Sequence, residues 1–216
     1  MRVYHFIEHK HGLENIQNRR LKVSSLETLN DPFELLAYAA KTQIERRIFR
    51  EMKAGMGKKV GLICFSKTWS NPVQWSHYAD RHRGLCLGFD VPDETVLPVR
   101  YVPKRLRYDP KLFEVRDEAT LLHYLTTKFS HWRYEKEVRL IVPLNETLQE
   151  GSLNFWPLAE DLVLREIIAG DMCPLSREEL EAAITNYDQP QTIALHKARL
   201  AFRSFNVVKQ RSSKNW

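Results

Sequence analysis

The sequence predicts a single α+β domain. Three observations point there. Short apolar runs of strand length alternate irregularly with amphipathic helical segments, no internal repeat or low-complexity block interrupts the chain, and no linker is long enough to separate two units. The 216 residues suffice for one substantial core, and 43% hydrophobic with 28% charged residues is an ordinary globular composition. No apolar run approaches a membrane span, and the opening MRVYHFIEHK turns polar too early for a signal peptide. Cys64, Cys86 and Cys173 lack paired spacing, so neither zinc nor a disulfide framework is expected, and a reducing, cytoplasmic setting fits. A net charge of +6 permits a polyanionic partner without establishing one.

Taken in order, Met1 to Phe6 reads as a first strand, Gly12 to Arg20 as a helix and Leu21 to Ser25 as a second strand. Asn30-Asp31-Pro32 breaks any helix begun at Leu26, because the residue before Pro avoids helical geometry. Asp31 then caps a new helix, with Pro32 in its first turn, that is predicted to run through Arg50. Phe33 is expected to be buried beneath that turn, and Lys53 to Lys59, with two glycines, reads as a loop.

The stretch Gly61 to Asp90 reads as strand, helix, strand. Asn71-Pro72 starts the helix, and Gly84 stops it by entering the left-handed C-terminal position. Trp75, Tyr78, Ala79 and His82 share one helical face. Such a face is either core whose polar tips find backbone partners, or the wall of a cleft that stacks on a flat ligand. Lys104 to Arg116 is charged and irregular after a strand at Pro98 to Val102, and Asp117 is expected to cap a helix through Trp132. Strands follow at YEKEVRLIVPL, Ser152 to Leu158 and LREIIAG. Ser176 and Glu179 have capping-box spacing, Gln191 to Ala201 reads as a last strand, and Phe202 to Val208 is placed to pair with it.

The strongest chemical signal is Glu135-Lys136-Glu137. On a strand, Val138, Leu140 and Val142 face one way, and Glu135, Glu137, Arg139 and Ile141 the other. Two carboxylates so close perturb each other's ionisation and suit proton transfer or a grip on a sugar hydroxyl, while Arg139 suits a phosphate or the carboxylates themselves. The plainer reading is a solvated salt-bridge face. Asn30, Asp31 and Phe33 suit either a structural turn or a loop rimming a cleft. None of the eight histidines falls into a metal-ligand spacing, so no metal site is expected. A dinucleotide fingerprint, a Walker loop, a zinc-deaminase signature and a nucleophile elbow are all lacking.

LKVSSLETLNDPFE, CFSKT, WSHYADRHRGLCLGFD, WRYEKEVRL and LREIIAG occur in an order that resembles a bacterial family of unknown function linked with abortive infection and phage defence. The resemblance covers about residues 3 to 170, with departures at Tyr4-His5-Phe6 and at Val138. More distantly, Tyr4-His5 on a first strand, an aromatic-rich helix and a late Glu-x-Glu strand resemble the ADP-ribosyltransferase fold. That resemblance implies two small, mostly antiparallel sheets flanked by helices, with NAD between them. It implies catalytic roles for Glu137, Glu135 and Tyr78, cofactor contacts from Tyr4, His5, Ser66, Trp75, His82 and Arg139, and a rim of Asn30, Asp31 and Phe33. The function implied is an NAD-dependent transferase effector acting on a nucleic acid or protein, with an antitoxin as a possible partner and no membrane. A metal-dependent nuclease and a non-catalytic phage-sensing module are the alternatives.

Overall fold

The computed structural model describes residues 1–108, 118–212 and 216. The first half contains β1 (Arg2–Ile7), α1 (His9–Gln17), β2 (Arg20–Val23), β3 (Tyr38–Ala39), α2 (Gln43–Gly57), β4 (Val60–Ser66), α3 (Pro72–Tyr78) and β5 (Leu85–Asp90). After these come β6 (Leu97–Pro98), β7 (Arg100–Val102), β8 (Leu106–Arg107), α4 (Glu118–Leu125), β9 (Thr127–Phe129) and β10 (Glu137–Pro143). The last elements are β11 (Leu148–Glu150), β12 (Leu153–Pro157), β13 (Val163–Ala169), α5 (Arg177–Ile184), β14 (Ala194–Leu200) and β15 (Val207–Lys209).

Eight strands form one mixed sheet in the order β15-β14-β13-β5-β1-β4-β10-β6, instead of the two small sheets expected. Among the described residues, only β13 and β14 run parallel within it. One three-stranded and two two-stranded sheets lie beside it. The central strand β5 is buried along LCLGF, as an apolar run covered on both faces should be. β1 pairs with β5 over its full length and β4 with β10 over theirs. Yet β1 and β4 meet at one register pair, Tyr4 with Ser66. The sheet therefore splays along the β1–β4 seam.

One face carries α1 and α5, whose Ile16, Leu180, Ala183 and Ile184 pack on Leu85, Leu87, Phe89 and Phe65. The opposite face holds two separate clusters. Trp75 and Ala79 sit with Cys86, Ile168, Ala198 and Val207 on one half. Leu35, Tyr38, Phe49, Leu62, Tyr124 and Leu125 sit on the other. The β1–β4 seam runs between them.

Several expected elements change. The segment after Asn30 does not continue as a helix to Arg50. Residues 32–35 turn, Leu35 takes a φ of 62°, and α2 starts only after Thr42, whose side chain and Glu45 close a capping box. α2 then continues through Gly57, where a loop was expected. The helix expected through Trp132 stops at Leu125, because Thr127 to Phe129 pair with β7 as a strand, and the hydroxyls of Thr126 and Thr127 donate to the last-turn carbonyls of Leu122 and His123. Its expected cap, Asp117, lies outside the described residues, as does most of Lys104 to Arg116. α3 ends at Tyr78, and Asp80, Arg81 and His82 all take positive φ. Gly84 is needed for space and not for a left-handed turn: a Cβ there would stand 2.2 Å from the Ile7 carbonyl oxygen.

Candidate functional site

A cavity of about 300 Å³ opens where β1 and β4 part. β1 supplies Tyr4, His5 and Phe6, and β4 supplies Cys64, Phe65 and Ser66. Glu34, Lys128, Glu135, Glu137 and Arg139 form its charged wall, and Asn30 and Tyr78 close it from above.

The charged wall is one buried ionic cluster. Arg139 has 0% of its surface exposed. Its guanidinium donates from Nε to Glu137 Oε1 at 2.8 Å, from Nη2 to Glu137 Oε2 at 3.2 Å and from Nη1 to Glu34 Oε1 at 2.9 Å. It also donates to the Leu125 carbonyl at 2.5 Å. Lys128 Nζ stands 2.7 Å from Glu135 Oε2 and 3.0 Å from Glu137 Oε2, and 3.8 Å from Glu34 Oε2. Three carboxylates thus face two cations in low dielectric, a net charge of −1 when all are ionised. Such burial is tolerable only with this density of pairing.

The imbalance falls on Glu135. Burial pushes its carboxyl above the ordinary carboxylate range, and Lys128 opposes that only in part. Burial acts the same way on Glu137, but Arg139 and Lys128 outweigh it and hold that carboxyl down at about 2. Burial would draw the Lys128 ammonium down, but Glu137, Glu135 and Glu34 raise it instead, so it stays charged. The Tyr78 hydroxyl donates to Glu135 Oε1 and accepts from Asn30 Nδ2 at 2.7 Å. Burial and the Glu135 charge raise the phenol far above its usual range, so it remains a donor.

The backbone fixes the pair. Glu135 does not stand on the strand as expected. It ends a 3-10 turn (Ser130–Glu135), Lys136 takes a left-handed φ of 46°, and β10 begins at Glu137. Both carboxylates still reach the cavity, through that turn and not through strand alternation. Ser66 Oγ (2.6 Å) and Gln74 Nε2 (3.1 Å) donate to the Glu135 carbonyl, and the Glu137 N–H donates to Tyr101 Oη at 2.8 Å. His5 Nδ1 lies 3.0 Å from the Cys64 carbonyl, so it donates and leaves Nε2 as acceptor. Burial lowers the His5 pKa and keeps the ring neutral.

Of the residues expected at the site, Glu135, Glu137, Tyr78, Tyr4, His5, Ser66, Arg139 and Asn30 line the cavity. Trp75 does not. It is buried in the neighbouring cluster with Cys86, Ile168 and Ala198, its indole N–H donating to the Trp69 carbonyl at 2.6 Å. His82 lies beyond the helix end and stacks on Trp75 at 6.1 Å, away from the cavity. Phe33, expected to be buried, is 56% exposed beneath the Arg105 guanidinium. Asp31 is buried outside the cavity lining, where its Oδ1 accepts the Phe33 N–H at 2.9 Å in an Asx turn. Arg139, wholly enclosed, holds the Glu137 carboxyl low and is not presented to a phosphate.

Glu34, Lys128, Gln74 and Tyr101 were missed. Glu34 reads as a first-turn acid, and Lys128 falls in the stretch where the expected helix gives way to β9. Glu34 meets Arg139 across 105 residues of sequence, a contact that no local spacing encodes. The one available hint was an imbalance: Glu-x-Glu-x-Arg on a buried strand needs a further cation.

Among the described residues, no group of three His, Cys, Asp or Glu side chains is placed to hold a metal ion, and no helix is long and apolar enough to cross a membrane. Comparison of the chain with family models, curated proteins and solved structures returns no match. The resemblance drawn from the motifs therefore rests on those residues alone.

Proposed function

We propose that the cavity binds the nicotinamide–ribose end of NAD and that the protein is an ADP-ribosyltransferase-like effector. The observation that carries this reading is a buried carboxylate pair with unequal acidities, opening onto a cavity at a seam between two half-sheets. A cavity of about 300 Å³ lies at the lower end of the range for ligand pockets and suits one end of a dinucleotide, not the whole of it. Tyr78, Phe6 and His5 give it flat, partly apolar walls, and Asn30, Ser66 and the carboxylates give it hydrogen-bonding groups.

Departure of nicotinamide leaves positive charge on the ribose. With Glu135 ionised, the cluster carries one excess negative charge in a low-dielectric setting, which stabilises that charge electrostatically. Glu137, locked by Arg139 and Lys128, supplies a constant part of this field. Glu135, with its raised pKa and its link to Tyr78, is the group suited to take a proton from an incoming nucleophile. A metal-dependent nuclease fits less well, since Lys128 and Arg139 already occupy the positions among the carboxylates that a divalent cation would need.

The test is incubation with NAD labelled in its adenylate portion and with RNA, DNA and protein acceptors. Label transfer or nicotinamide release is expected from the wild type and a loss of at least about a hundredfold from Glu135→Gln, the scale of general-base removal. Absence of NAD binding, or an unaltered rate in that variant, overturns the reading. Binding that persists without turnover points to the sensing module instead.

A further inference from the structure

β14 and β15 form a hairpin closed by donation from the Ala201 N–H to the Asn206 carbonyl at 2.9 Å. Its tip holds Phe202 and Phe205, 93% and 98% exposed. Leaving two phenyl rings in water forgoes the burial that favours every other aromatic side chain of the core. The rings do not stand alone. The Arg199 guanidinium lies 5.3 Å from the Phe202 ring centroid and is pinned by donation to the Leu200 carbonyl at 3.0 Å. Arg203 sits between the two phenylalanines, and Arg211 follows the second strand. No ion pair joins these three arginines to a carboxylate among the described residues. From Lys197 to Arg211 the sequence has five basic residues and no acidic one.

We infer that this hairpin binds single-stranded nucleic acid, with Phe202 and Phe205 stacking on unpaired bases at its tip while Arg199, Arg203 and, toward the base of the hairpin, Arg211 hold the phosphates. Aromatic faces alternating with free cations match the alternation of bases and phosphates along a strand, and every base offers a face to stack on. A lipid surface fits worse. Inserting both rings would carry Arg203 between them into the acyl region, at high cost. A second copy of the chain fits worse too, since a two-fold contact would press the same unpaired cations together. The Asn206 amide bridges to Ser204 Oγ at 3.1 Å, and the Val207 N–H donates to the Ser70 carbonyl at 2.8 Å. The tip is thus braced from within and fastened to the loop between β4 and α3, two elements that line the cavity. The inference does not depend on what the cavity binds.

The test is fluorescence anisotropy of labelled oligo-dT and oligo-U with the full chain. Binding is expected, with the logarithm of the affinity falling against the logarithm of salt concentration at a slope of about −2, for three phosphate contacts to a single strand. Phe202→Ala with Phe205→Ala should weaken binding by at least about tenfold without shifting the thermal midpoint, because the rings touch solvent and not the core. Arg199→Gln with Arg203→Gln should flatten the slope by about 1.4. Oligonucleotide affinity that is absent in the wild type or unchanged in the phenylalanine variant overturns the proposal. So does loss in that variant of binding to anionic vesicles, or of self-association, in place of oligonucleotide binding.

Discussion

Glu135 and Glu137, two residues apart, share one ammonium: Lys128 Nζ lies 2.7 Å from an oxygen of the first and 3.0 Å from an oxygen of the second. Only Glu137 has a second cation, Arg139. Two side chains of the same type thereby acquire opposite shifts in acidity, and each shift has a measurable consequence.

Glu137 should govern acid stability. Its folded-state value of about 2 lies below its unfolded value of 4.5. The contribution is present above pH 4.5 and is lost as pH falls from there toward 2, by about 3 kcal/mol over the window. Chemical denaturation of wild type and Glu137→Gln across that range is the check: the variant should be less stable at neutral pH and should lose much less on acidification.

Glu135 has the opposite sign. Its folded value lies above 4.5, so the stability it adds through proton uptake is present below that pH and fades as pH rises through the folded value. In the proposed reaction its basic form grows in over the same rise, giving an acid limb to the pH–rate profile. The Tyr78 hydroxyl lowers the Glu135 value, so Tyr78→Phe should move that limb to higher pH. It should also cost about 1 kcal/mol in folding stability, because Glu135 and Asn30 each lose a partner. A limb that stays in place, or moves down, removes Glu135 as the base.

Arg139→Met should be among the most damaging single changes in the chain. It strands Glu34 and Glu137 without their guanidinium in a site closed to water. A loss of about 3–5 kcal/mol is expected, readable as a fall in the denaturation midpoint. Adding Glu137→Gln to it should recover part of the loss, since one stranded charge is gone, so the double-mutant cycle should show coupling between the two positions.

Two glycines should respond in opposite directions. Gly84→Ala places a methyl 2.2 Å from the Ile7 carbonyl oxygen, a backbone atom that cannot swing away. It should destabilise by about 3 kcal/mol. Gly55 lies inside α2 with nothing within 4 Å of its would-be Cβ, so Gly55→Ala should stabilise by about 1 kcal/mol. Thermal melts of the two variants separate steric need from conformational freedom.

Much of the site was legible where local rules operate. Apolar runs marked β4, β5, β10 and β13, and the alternation along β10 placed Glu137 and Arg139 on one face with Ile141. Asn71 and Ser176 cap α3 and α5 as their side-chain chemistry requires. Tertiary packing overrode local pattern at Leu35, whose left-handed turn ends the segment expected to be helical, and at Trp75, which the core claims although it shares a helix with Tyr78.

What the sequence by itself determined is the main strands of the large sheet, the caps of α3 and α5 and the presence of an acidic pair beside an arginine, because those follow from periodicity and from groups a few residues apart. The three-dimensional packing alone decided which acid is free to titrate. That outcome depends on Glu34 and Lys128 arriving from other elements, and the Coulomb energy of a buried charge is set by its distance to partners in space, whatever their separation along the chain.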